Sequence, residues 1–212
     1  MDLEAARTRL FSHLSWEIQD ERVIEAMQRV PREEFVPLAQ RDSAYEDRPL
    51  SIGHGQTISQ PFIVALMIQA LGLKESDKVL EVGAGSGYVS AILGQLAAHV
   101  VGVEIIPELA ELASATLDRL DYRNVEIHVA PRSSLGWLPE APYDAIIVSA
   151  GAPAVPAMLL GQLKWNGRMV IPVGSRFQQN LLRILRKPEG DEIEDMGGCF
   201  FVPLIGDGAW NG

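Results

Sequence analysis

Cysteine is almost absent from this sequence: Cys199 stands alone among 212 residues. One thiol closes no internal disulfide, so the chain is expected in a reducing compartment, the cytoplasm, with Cys199 a small apolar filler in a strand. Histidine is scarce too. Its four copies are scattered and the lone cysteine lies far from them, so the spacing suggests no metal site. No run of about 18 apolar residues exists to cross a bilayer, so no membrane partner is expected. Met1 to Arg9 carries Asp2, Glu4, Arg7 and Arg9, and no apolar core of signal-peptide length follows. Basic charge is in deficit, with 18 Lys and Arg against 28 Asp and Glu and a formal net charge of -10. Such a surface repels phosphate backbones, which argues against nucleic acid as the main partner. Internal repeats and low-complexity tracts are lacking. What is present, 47% hydrophobic and 22% charged residues, suits one domain over 1–212 with a real core, expected as a monomer.

Residues 1–75 read as a helical subregion that includes one shaped loop. Asp20 is placed to cap a helix with Val23, Ile24, Met27 and Val30 on one face, closed by Pro31. Val36 to Ser51 has no clear period. Gly53-His54-Gly55-Gln56-Thr57-Ile58-Ser59-Gln60-Pro61 reads as a loop built by its glycines, and Ser59 is a candidate cap for the helix opening near Pro61. That helix runs through Ile63, Leu66, Met67 and Ala70 to Gly72. From Lys78 the rhythm changes to short apolar runs alternating with helical patterns, which predicts a parallel α/β sheet. The predicted strands are Lys78–Val82, Val100–Glu104, Val125–Val129, Asp144–Ser149 and Arg168–Val173. Helices are predicted over Tyr88–Ala97, Glu108–Leu120 and Pro156–Leu163. Leu181–Arg186 and Glu192–Phe200 follow as a hairpin about the turn Lys187-Pro188-Glu189-Gly190.

Val79-Leu80-Glu81-Val82-Gly83-Ala84-Gly85-Ser86-Gly87-Tyr88 is a strand ending in a glycine-rich turn that opens a helix. Glycine lets backbone approach a ligand closely. The G-x-G-x-G spacing after an acid differs from the dinucleotide form G-x-G-x-x-G. It suits S-adenosylmethionine, which has no pyrophosphate and carries an ammonium that Glu81 would meet. A tight turn with no ligand is the plainer role, but the strand before it and the helix after it favour the ligand. Glu104 ends the next strand, where an acid accepts ribose hydroxyls, and Ile105 follows to pack on adenine. Alone, Glu104 would be a solvated strand end. At the end of the fourth parallel strand there is no Asn/Asp-Pro-Pro-Tyr/Phe box of the kind that nitrogen methyltransferases often carry. Ser149-Ala150-Gly151-Ala152-Pro153 stands there instead, leaving room for a peptide backbone and offering main-chain donors to a carboxylate.

Across nearly its whole length the chain resembles the protein-L-isoaspartate O-methyltransferase family. The likeness lies in Val30-Pro31-Arg32, Phe35-Val36-Pro37, Ala44-Tyr45-Glu46-Asp47, Ile52 to Pro61, Leu80 to Tyr88, Ala141 to Val148, Gly167 to Gly174 and Phe201-Val202-Pro203-Leu204. The loop Gly53 to Pro61 is its most specific part. The resemblance implies a Rossmann-like class I methyltransferase fold with a mostly parallel sheet, a C-terminal β-hairpin and a helical N-terminal segment. It implies Ser59 as the catalytic residue. Cofactor contacts fall on Ile58, Gln60, Glu81, Gly83, Gly85, Ser86, Gly87, Glu104 and Ile105, and substrate contacts on His54, Gln56, Ser59, Gln60, Ala152 and Pro153. The activity implied is methyl transfer from S-adenosylmethionine to the carboxylate of isoaspartyl residues in damaged peptides and proteins, leaving S-adenosylhomocysteine. The ester then cyclises to a succinimide whose hydrolysis partly restores aspartate. A carboxylate is ionised at neutral pH and needs no general base, which fits the lack of a Ser/His/Asp set. His54 then shapes the loop or touches substrate.

Two departures stand out. Ala130-Pro131-Arg132 replaces the usual Gly-Asp-Gly, whose aspartate contacts the adenine amine, and proline has neither that carboxylate nor an N–H. Asn180 stands where glutamine is frequent near the cofactor. These keep open an alternative enzyme, a divergent peptide-tailoring methyltransferase acting on a normal aspartate.

Overall fold

The computed structural model describes residues 2–131 and 133–211; Met1, Arg132 and Gly212, and with Arg132 one of the departures above, lie outside them. Helices α1 (Leu3–Glu17) and α2 (Glu21–Arg29) open the chain, capped by the side chains of Asp2 and Asp20. A 3-10 turn, Arg32–Phe35, follows, and a second, Leu38–Ser43, lies within the Val36–Ser51 segment that had no readable period. The expected loop is a small antiparallel hairpin, β1 (Leu50–Gly53) and β2 (Gln56–Ile58). His54 and Gly55 form its two-residue turn, both with positive φ, the conformation such tight hairpins demand. Helix α3 (Pro61–Leu71) follows.

The main sheet then builds up through β3 (Lys78–Val82), α4 (Tyr88–Gly94), β4 (His99–Glu104), α5 (Pro107–Arg119), β5 (Val125–Val129), β6 (Tyr143–Val148), α6 (Ala157–Gln162), β7 (Leu163–Gly174), β8 (Gln179–Leu185) and β9 (Glu192–Cys199). A third 3-10 turn, Leu138–Glu140, precedes β6. Strand order is β5-β4-β3-β6-β7-β8-β9, with β5 through β7 parallel and β8 and β9 antiparallel. The seven expected strands and the hairpin are all present. The main boundary difference is β7, which starts at Leu163, the expected end of the preceding helix. Among the described residues no helix is long and apolar enough to cross a membrane.

Successive strand residues point to opposite faces. Val79, Val100, Ala145 and Val170 pack against α1 to α5 on one face. Leu80, Val101, Ile146 and Met169 pack on the other with α6 and the C-terminal segment. Burial on both faces explains why β3 and β6 read as near-continuous apolar runs. The last carbonyls of α3 have no partners within the helix. Arg168 of β7 supplies donors to Leu71 O at 2.8 Å and Gly72 O at 3.1 Å while pairing with Asp77 at 2.5 Å, and Arg183 of β8 donates to Ala70 O at 2.7 Å. The N-terminal helices are thereby fixed to the sheet that carries the glycine turn.

Candidate active site

Strand β3 sits at the switch point of the sheet, with β4 on one side and β6 on the other. Open α/β sheets hold ligands in the crevice past the strand ends at this point. The glycine turn leaves β3 there. Gly83 and Ala84 donate to Val103 O, and Ser149 donates to Val82 O, so the ends of β3, β4 and β6 form one rim. Gly85 has φ +53, and a Cβ at that position would lie 3.3 Å from Ile52. Gly87 serves packing instead: a Cβ there would meet Ala113 at 3.1 Å and Leu117 at 3.3 Å, so this glycine lets α4 close on α5. Gly87 lines neither cavity described below.

A cleft opens above the rim. Gly83, Gly85, Glu104 and Ile105 line it as expected, with Gln56 and Thr57 from the hairpin forming one wall. Glu104 is buried, and its carboxylate already accepts three backbone N–H groups: Gly85 at 2.9 Å, Ile105 at 2.8 Å and Ile106 at 3.0 Å. An ionised carboxylate has about four acceptor positions, so one is left for a ligand hydroxyl. The cleft also takes residues that sequence reading did not place among the cofactor contacts. Ala130, Ser134, Leu135 and Gly136 line it, and so do Val202 to Ile205 from the C-terminal segment. Pro131 is exposed and lines neither cavity. Asn180 is likewise outside, donating to Asp195 at 2.6 Å across the β8–β9 hairpin.

A smaller cavity adjoins the cleft and shares Thr57, Gly83, Gly85 and Ser149 with it. Ile58, Ser59, Glu81 and Ser86 line this second space. Glu81 is 1% exposed, with Ser149 Oγ donating to it at 3.1 Å and Ser90 Oγ donating to its other oxygen. Burial pushes its carboxyl up to about 8, only partly offset by the two serine hydroxyls. A buried carboxylate with hydroxyl partners and, among the described residues, no paired cation is the chemistry an incoming ammonium would satisfy.

Ser59 is not the cap of α3. Gln60 occupies the cap position without a side-chain bond, and Asp47, from the stretch without a period, reaches across to accept from Phe62 N at 2.9 Å. Asp47 also accepts from Gln60 Nε2 at 3.0 Å, so the Gln60 amide braces the loop and Gln60 lines neither cavity. What fixes Ser59 is Arg32. This fully buried guanidinium donates to Ser59 O at 2.7 Å and Ala44 O at 2.8 Å and lies 4.7 Å above the Tyr88 ring. Arg32 belongs to a stretch matched by resemblance, yet no spacing in the sequence ties it to a residue 27 positions away.

The segment after β6 divides between the sheet and the cleft. Ala152 is fully buried, its N–H donated to Pro172 O and its carbonyl accepting from Gly174, and the Gly151 N–H is taken by Val202 O. These main-chain groups complete the sheet and are not free for a carboxylate. Pro153 is exposed beyond them. Ser149 and Ala150 of the same segment face the cleft instead. His54 stays exposed at the hairpin tip.

A mostly parallel doubly wound sheet, with a glycine turn, a buried acid and a strand-end acid around one crevice, defines a class I methyltransferase. A family model described as protein-L-isoaspartate(D-aspartate) O-methyltransferase matches residues 6–209, and the chain belongs to that family. It is 53% identical over 195 residues to a protein-L-isoaspartate O-methyltransferase of Protochlamydia amoebophila, covering 91% of this chain and 92% of that one. It is 49% identical to one from Syntrophobacter fumaroxidans, covering 92% and 91%. A solved protein-L-isoaspartate O-methyltransferase superposes with TM-score 0.84 at 30% identity over 96% of this chain and 67% of that one. A Plasmodium falciparum structure of the same description, in complex with S-adenosyl-L-homocysteine, superposes with TM-score 0.80 at 27% identity, covering 92% and 96%.

Proposed function

We propose that this protein methylates the carboxylate of isoaspartyl residues in damaged peptides and proteins, with S-adenosylmethionine as methyl donor and Ser59 orienting the acceptor. The observation that carries this reading is the junction of the two cavities. Thr57, Gly83, Gly85 and Ser149 line both, so the cofactor cleft and the pocket holding Ser59 meet at one wall. In this reading Glu81 receives the ammonium and Glu104 a ribose hydroxyl, while Ile105 packs on the adenine side.

S-adenosylmethionine supplies a methyl group on a sulfonium, already an electrophile. The chain then has two tasks. One is to bind a carboxylate that is ionised at neutral pH, so that no side chain takes a proton from it. The other is to hold its oxygen in line at contact distance, the geometry from which proximity catalysis draws its rate. Ser59 suits the second task, because its backbone is fixed by a buried guanidinium and it lines the smaller cavity. The Arg32 charge beneath the loop also favours an anionic acceptor.

The same reading puts the enzyme in the cytoplasm as a monomer acting on protein, and the net charge of -10 weighs against nucleic acid as substrate. The deciding experiment compares methyl transfer to an isoaspartyl peptide and to its aspartyl twin. Strong preference for the isoaspartyl peptide is expected. Equal or better transfer to the aspartyl twin would replace this reading with the peptide-tailoring one.

A further inference from the structure

Two of the four scattered histidines meet in the folded chain. In the β4–β5 register Val101 lies opposite Glu126 and Val103 opposite His128. With the two-residue period of strands, His99, Glu126 and His128 therefore share one face at the sheet edge. The 3-10 turn Leu138–Glu140 brings Glu140 over them. Each carboxylate spans both imidazoles. Glu140 lies 3.0 Å from His99 Nε2 through one oxygen and 3.8 Å from His128 Nε2 through the other, and Glu126 lies 4.0 Å and 3.6 Å from the same two nitrogens. His128 Nε2 is buried and has no hydrogen-bond partner, although it is surrounded by these oxygens.

We propose that His99, Glu126, His128 and Glu140 form a binding site for a divalent transition-metal ion of the zinc type. A tetrahedral zinc at about 2.0–2.1 Å from its ligands sets them roughly 3.3 Å apart. The imidazole–carboxylate distances of 3.0–4.0 Å bracket that value, the donor atoms of Glu126, His128 and Glu140 lie within 4.8 Å of one another, and His99 joins that trio by turning inward from its contacts with the two carboxylates. Two imidazoles and two carboxylates suit such an ion in donor type. Lys78, a nearby cation that opposes it, has its Nζ drawn off to Glu140 O and the Tyr143 ring.

The supports resemble those that orient metal ligands elsewhere. The His128 ring stacks on Trp137 with centroids 4.3 Å apart and planes 7° from parallel. Trp137 is held at both backbone groups, its N–H by Gln162 at 2.8 Å and its carbonyl by Tyr143 OH at 2.7 Å. Just before Trp137 come Ser134, Leu135 and Gly136, which line the large cleft. A bound ion would thus tie the 133–140 segment to the edge strand. The site stands independently of the methyl-transfer reading.

The test uses untagged, metal-stripped protein titrated with Co²⁺ and then Zn²⁺. Co²⁺ should bind one per chain with the visible absorption of a tetrahedral site, Zn²⁺ should displace it, and melting temperature should rise. His128→Ala and Glu140→Gln should each weaken binding by about tenfold or more, while His13→Ala, at an exposed position of α1, should leave it unchanged. Glu126→Gln, at a side chain 55% exposed, guards against a variant that fails to fold. Absence of saturable Co²⁺ binding would overturn the proposal, leaving only a His99–Glu140 hydrogen bond. So would a folded Glu126→Gln protein that binds as tightly as the parent.

Discussion

Glu104 at the end of β4 accepts a hydrogen bond from the backbone N–H of Gly85 at 2.9 Å. The acid that sequence spacing places on a ribose is thus also the strut that holds the glycine turn in shape. Glu104→Gln keeps the size but loses the charge and half the acceptor capacity. Hydrogen bonds to charged groups contribute about 1.5–3 kcal/mol, so affinity for S-adenosylhomocysteine should fall roughly ten- to a hundredfold by calorimetry. Unchanged affinity would remove Glu104 from the cofactor site.

Glu81 makes the protein sensitive to pH. Burial raises its carboxyl from an ordinary 4.5 to about 8, so between those values the folded chain holds a proton that the unfolded chain has released. Stability tied to this proton is complete below pH 4.5 and declines as pH rises toward 8. Melting temperature of the ligand-free protein should carry a downward slope across that window, and Glu81→Gln should remove it. An ammonium arriving beside Glu81 restores the ionised form. Cofactor binding near neutral pH should therefore release a proton, seen as binding heats that differ among buffers, and the Gln variant should release none.

Ser59→Ala separates orientation of the acceptor from stability. The structure gives the α3 cap to Asp47, so loss of the hydroxyl should change melting temperature by less than about 0.5 kcal/mol in equivalent stability. Turnover on an isoaspartyl peptide should fall sharply with cofactor affinity nearly unchanged. Near-normal turnover would leave positioning to the backbone of the loop alone.

Arg32→Lys tests how Ser59 is held. Lysine keeps the charge but has a single ammonium in place of a planar fork and cannot serve Ala44 O, Ser59 O and the Tyr88 face together. The expected outcome is a lower kcat at unchanged cofactor affinity, together with a loss of stability on the order of 1–3 kcal/mol from the unmet carbonyls. A variant as stable and as active as the parent would show that the loop holds its shape unaided.

Asp77→Ala tests the joint between the N-terminal helices and the sheet. Asp77 receives Arg168 at 2.5 Å and Lys74 N at 3.0 Å, and the ion pair is shielded, with side chains 5% and 13% exposed. Removing one partner of a buried pair costs about 3–5 kcal/mol. Urea unfolding should show a loss near the lower end, because Arg168 keeps its carbonyl acceptors.

The sequence alone determined the sheet and its glycine turn. Apolar runs such as Val79-Leu80 and Ile146-Ile147 read as strands because parallel strands are buried on both faces, a constraint written locally. Gly85 and Glu81 were legible for the same reason, since the turn, the acid and the following helix are contiguous. What the tertiary structure decided depends on contacts between distant residues. Asp47 takes the cap that Ser59 was expected to supply, and Arg32 reaches Ser59 over 27 positions. Ala152 spends its backbone groups on Pro172 and Gly174, leaving the cleft to Ser149 and Ala150. His99 and His128 meet only because β4 and β5 pair in one particular register. Hydrogen-bond donors and acceptors are satisfied by whichever partner the fold brings within about 3 Å, and no local pattern of residues encodes that choice.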